Sequence, residues 1–117
     1  MDSQREFIEE LATSLDYWTD TLVRSVSDES DLRWSERPDE FRKLAEALRR
    51  GGAQDAFASV VREGLRGVIH SVLVTLDGGT QLAESVLLSI TDDHGETFGR
   101  DLHEQFVSLL LDTGRIK

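Results

Sequence analysis

The sequence predicts an α+β fold, mostly helical: about four helices with one small β-hairpin, residues ~86–98, packed on them. Two patterns predict it. Apolar residues recur at helical spacing in four separate stretches, whereas Val86, Leu88 and Ile90 alternate with Leu87, Ser89 and Thr91 as in a strand. Pro38, Gly51-Gly52, Gly78-Gly79 and Gly114 punctuate these stretches where helix starts and stops belong. At 117 residues the chain has the length of a single compact domain, residues 1–117.

The first helix opens at Ser3-Gln4-Arg5-Glu6, which has the form of a capping box. Phe7, Leu11, Leu15, Trp18 and Leu22 follow at spacings of four and three, widened by Ile8 and Val26. On a helical wheel Glu6, Glu9, Glu10, Asp16 and Asp20 fall on the opposite side, so this helix has one oily and one acidic face. The polar run at 27–31 predicts a loop, and Trp34 either anchors it to the core or lies exposed. Pro38 suits the first turn of a second helix, with Phe41, Leu44, Ala45 and Leu48 inward, closed by Gly51-Gly52.

The third helix is expected over residues 53–76. Phe57, Val60, Val61, Leu65, Val68, Ile69, Val72, Leu73 and Leu76 keep helical spacing through Gly64 and Gly67. The alternative ends the helix near Arg66 and continues as a strand, because the run from Val68 is rich in β-branched residues. The unbroken period favours one helix. Thr80 could cap a short turn, residues 92–95 form the hairpin turn, and Asp101-Leu102-His103-Glu104 starts a last helix that Gly114 stops. Arg115 and Lys117 then sit beyond its negative end.

Composition narrows the function. There is no cysteine, which excludes disulfides, thiolate catalysis and cysteine zinc sites. The first six residues lack the basic and apolar regions of a signal peptide, and the apolar run at 67–79 is too short and interrupted to span a bilayer. These features predict a soluble, cytoplasmic chain. Its formal charge of −10 is uneven: 12 acids against 4 bases over residues 1–40, 3 against 6 over 41–76, and 8 against 3 over 77–117. Such a surface repels nucleic acid and anionic membranes and attracts a basic protein partner.

His70 stands in the most apolar stretch of the chain. On one long helix it lies outside the apolar arc, on a polar strip with Glu63, Arg66 and Asp77, and with His103 these residues make a candidate polar cluster. A hydrogen bond to a carboxylate or carbonyl is the expected role of the imidazole. His70, His94 and His103 are the only histidines and none stands four residues from another, so no helical zinc pair is present. Asp92, Asp93, His94 and Glu96 crowd one turn but lack the calcium-loop pattern. No G-x-S-x-G elbow or phosphate loop occurs. No catalytic residue, metal or cofactor is therefore assigned.

A small acidic domain without catalytic signatures reads most economically as an interaction protein, an inhibitor that caps a basic site on a partner. Glu6, Glu9, Glu10, Asp16 and Asp20 would steer the encounter, and an exposed Trp34, Trp18 or Tyr17 would anchor it. Bacterial immunity proteins, which neutralise a paired nuclease toxin, share this size and charge; the likeness is one of physical class. Two alternatives differ in kind. One is a DNA mimic of the anti-restriction or anti-CRISPR type. The other is a small enzyme or ligand-binding domain centred on His70, Asp77 and His103. A homodimer is a further expectation, through Phe106, Val107, Leu109, Leu110 and Leu111 of the last helix or through the hairpin edge.

Overall fold

Asp2 opens the first helix in the computed structural model, which describes residues 2–27 and 31–116. Its carboxylate accepts the Arg5 amide at 3.0 Å, so Asp2 caps the helix in place of Ser3. The Ser3 hydroxyl donates to Asp92 instead. Helix α1 then runs over Ser3–Ser25, with no glycine or proline to interrupt it. Residues 28–30 of the expected loop, and Lys117 beyond the last helix, lie outside the described residues.

Helix α2 covers Pro38–Gly51, with proline in its first turn where a missing N–H costs nothing. Gly52 leaves it at φ 62°, and the Gly52 and Ala53 amides return to the carbonyls of Arg49 and Leu48. This Schellman-type stop explains why the helix ends at the glycine pair. Helix α3 is continuous over Gln54–Leu76, so residues 68–76 are helix and not strand. A single 3-10 turn follows at Gln81–Glu84, after Thr80, whose side chain caps nothing. Helix α4 spans Leu102–Asp112 and closes on Gly114 at φ 71°, with the Arg115 amide bonded to the Leu110 carbonyl.

The chain divides into two compact units, one of residues 1–14 with 66–117 and the other of residues 15–65. In the first, Ile8, Ala12, Leu73, Leu102, Phe106, Leu109 and Leu110 are buried. In the second the buried apolar residues are fewer, Leu15, Val26 and Ala45. Aromatic rings supplement them: Trp18 meets Tyr17, Trp34 and Trp34 meets Phe41, all edge-on at 5.5–5.9 Å. Trp18, aligned with the apolar stripe of α1 in sequence, is 44% exposed within this strip.

The expected hairpin is not there. Among the described residues the fold is all-helical, and residues 86–98 hold one isolated antiparallel bridge, Thr91 to Thr97. The α+β assignment is therefore corrected to an all-α fold. The turn itself exists: Asp92 N–H bonds the Glu96 carbonyl at 2.9 Å, and Phe98 N–H bonds the Ile90 carbonyl at 2.8 Å. Past Phe98 the return arm is held by α1 rather than by residues 86–89. The Gly99 amide donates to the Gln4 side chain at 2.8 Å, and the Phe98 ring packs on Phe7 at 5.9 Å. Ile90 and Phe98 share one of the two bonds such a pair can make, and beyond them no backbone bond joins the arms among the described residues.

The interior glycines of α3 neither break it nor admit a neighbouring element, since a Cβ at Gly64 or Gly67 would meet no atom within 4 Å. Both pay the backbone-entropy cost of glycine for no packing return. Gly64→Ala and Gly67→Ala are each expected to stabilise the protein by about 0.5–1 kcal/mol. Urea denaturation reads the change, and a loss of stability in either variant would mean that something packs against that glycine.

Candidate functional site

Helix α3 ends at Leu76, and Gly78, at φ 81°, turns the chain away immediately after Asp77. That turn leaves the Asp77 side chain 2% exposed against the start of α4. Its Oδ1 accepts the Leu102 amide at 3.0 Å, and its Oδ2 accepts the His103 amide at 2.9 Å. The same Oδ2 meets His103 Nδ1 at 2.5 Å. Asp77 therefore caps a helix that begins 25 residues later. The residue next to that helix, Asp101, makes no cap; its carboxylate accepts the side-chain amides of Gln4 at 3.3 Å and Gln105 at 3.0 Å.

An ionised carboxylate can only accept, so His103 carries its proton on Nδ1 and, when neutral, presents a lone pair at Nε2. The His70 ring stands edge-on to it, with centroids 5.5 Å apart and planes at 83°. Burial raises the Asp77 pKa, but the amide of His103, its ring and the amide of Leu102 outweigh this and hold the carboxyl below its ordinary value. Three of the residues grouped from sequence, His70, Asp77 and His103, thus meet. Glu63 is exposed and Arg66 half-buried, and neither enters a hydrogen bond or ion pair among the described residues.

A carboxylate holding an imidazole is the orienting half of a nucleophilic triad. Among the described residues no serine or threonine hydroxyl bonds either ring, and the larger surface grooves are lined by other residues. No group of three or more metal-ligating side chains is gathered among the described residues either. What the contacts do accomplish is mechanical: Asp77 joins the end of α3 to the first turn of α4.

The partner-binding residues named from sequence are divided between the units. Glu6, Glu9 and Glu10 belong to the first and are exposed, with Glu9 paired to Arg5 at 3.0 Å. Asp16, Asp20 and Trp34 belong to the second. There Asp16 is tied to Arg62 at 2.9 Å, Asp20 is exposed, and Trp34 is 47% exposed within the aromatic strip. In the last helix Phe106, Leu109 and Leu110 are spent on the core of their own unit, which leaves Leu111 as the outward apolar residue.

One acidic feature escaped the sequence. A groove of about 330 Å³ in the first unit is lined by Asp2, Arg5, Asp101, Glu104 and Asp112 together with Ile8 and Leu109. Asp101, Glu104, Ser108 and Asp112 stand three or four residues apart, a spacing that places them along one side of α4. That much was readable; their meeting with Asp2 was not. Comparison with family models, curated proteins and solved structures finds no match to this chain.

Replacing Asp77 by alanine strips a buried acceptor from three donors and is expected to cost about 2–3 kcal/mol. Because the folded carboxyl titrates below its ordinary value of 3.8, its contribution is complete above that pH and is lost as pH falls through the depressed value. The acid limb of the stability curve should therefore be shallower in Asp77→Ala than in the parent. Urea melts across the acid range compare the two; matching curves would show that the cap contributes nothing.

Proposed function

We propose that this chain is a protein-binding domain that holds a basic partner on the acidic surface of its first unit, as an inhibitor capping a basic site would. The observation that carries the reading is the distribution of charge over the fold. Residues 1–14 and 66–117 contain 12 acids and 5 bases, whereas residues 15–65 contain 11 and 8. Within the acidic unit Glu6 and Glu10 are exposed and enter no ion pair among the described residues. They are free to steer an incoming cation.

The acidic groove adds a place for such a cation to rest. Its four carboxylates and the apolar Ile8 and Leu109 beside them suit the head and stem of a lysine or arginine side chain. The histidine cluster supports the same reading indirectly, because both oxygens of Asp77 are already engaged in holding α4.

The test is kinetic. A partner is isolated by cross-linking to the purified protein in an extract of its source, and association is measured at rising salt. The association rate should fall as ions screen the surface. The double reversal Glu6→Lys with Glu10→Lys should weaken binding roughly tenfold or more while leaving thermal unfolding unchanged. Binding that ignores both salt and the reversal would reject the acidic surface as the contact.

A further inference from the structure

Residues 86–91, Val-Leu-Leu-Ser-Ile-Thr, have the composition and alternation of a strand yet pair with almost nothing. The amides and carbonyls of Leu87, Leu88 and Ser89 enter no hydrogen bond among the described residues, and the bridge begins only at Thr91. Val86 and Leu87 are 46% and 61% exposed. Beyond Phe98 the return arm makes no backbone bond to this segment among the described residues. A cavity of about 60 Å³ is lined by residues of both arms, Leu88, Ser89, Gly99 and Arg100 among them.

A run of unpaired peptide groups with apolar side chains is a template for a strand from elsewhere. Along a strand the peptide groups of every second residue turn to the same edge. The Ile90 carbonyl already faces the return arm through Phe98. Drawn straight, the segment therefore turns Leu88 toward that arm too and presents Leu87 and Ser89 to the outer edge.

Charge at the ends decides what docks there. The uncharged run is bounded by Glu84 on one side and by Asp92 and Asp93 on the other. Antiparallel pairing with a second copy, centred on Leu88, would set Glu84 opposite Asp92, and like charges across a ladder repel. An apolar strand with basic residues at both ends meets no such penalty.

We propose that residues 86–90 form a docking edge that accepts an apolar, base-flanked strand of a partner protein through the main chain of Leu87 and Ser89. The inference rests on the binding-domain reading and names the chemistry of the partner.

The experiment uses the full-length chain, labelled with nitrogen-15. The probe is a synthetic peptide of five alternating valines and threonines with two lysines at each end. Saturable protection of the Leu87 and Ser89 amides from exchange is expected. A probe with aspartates in place of lysines, or with alternate amides N-methylated, should bind at least roughly tenfold more weakly. Leu87→Pro should abolish protection at Ser89, and the N-methylated probe makes the same test without altering the fold. Absence of protection at Leu87 and Ser89, equal binding of the N-methylated probe, or concentration-dependent protection without peptide, which would indicate a second copy, each overturns the proposal. Failure here with partner binding still governed by Glu6 and Glu10 would reject the docking edge and leave the binding domain standing.

Discussion

The Asp77 carboxylate is the contact on which the first unit turns. A helix N-terminus exposes amides with no partner in their own helix, and α4 meets that need with a side chain delivered from the end of α3. The same group fixes the His103 ring, and with it the edge on which His70 rests. Around this join are packed Leu73 from α3 and Leu102 and Phe106 from α4, all buried. A carboxylate so enclosed would be costly without partners; its three donors make it an anchor and set the register in which the apolar side chains meet.

The local part of this architecture was legible in the sequence. Pro38, Gly52 and Gly114 act within a few residues of themselves, through backbone geometry, and each stands where a helix begins or ends. The continuity of α3 was legible too, because the period of its apolar residues outweighs the β preference of its valines. The hairpin was misread because alternation at 86–91 describes a segment able to form a strand and cannot say whether a neighbour is on hand. That was settled by Gln4 and Phe7, which draw the return arm to α1 across more than ninety residues of sequence.

The candidate site divides along the same line. His70 and Asp77 stand seven residues apart on one polar strip, which helical geometry reveals; their meeting with His103 needed the chain to return. The acids of α1 were correctly placed on a wheel, but a wheel cannot show that Arg5 and Arg62 would occupy two of them. The apolar arc of α3 was likewise wider than its burial: Val60, Val68 and Val72 are 69%, 64% and 54% exposed, since periodicity marks a greasy face without measuring how much of it finds cover.

The first unit is assembled from two separated stretches of chain, joined by contacts such as Gln4 to Asp101 and to Gly99. A ribosome delivers these stretches at different times. The opening half of α1 is made early, and the residues that Gln4 and Phe7 meet, Phe98, Gly99 and Asp101, lie more than ninety positions later. Ile8 and Ala12 are buried in a unit whose other stretch begins only at residue 66, so covering them brings together parts of the chain more than fifty positions apart. Closing that circuit is a long-range search, and the entropy of closing so long a loop is a cost that contacts local in sequence do not carry.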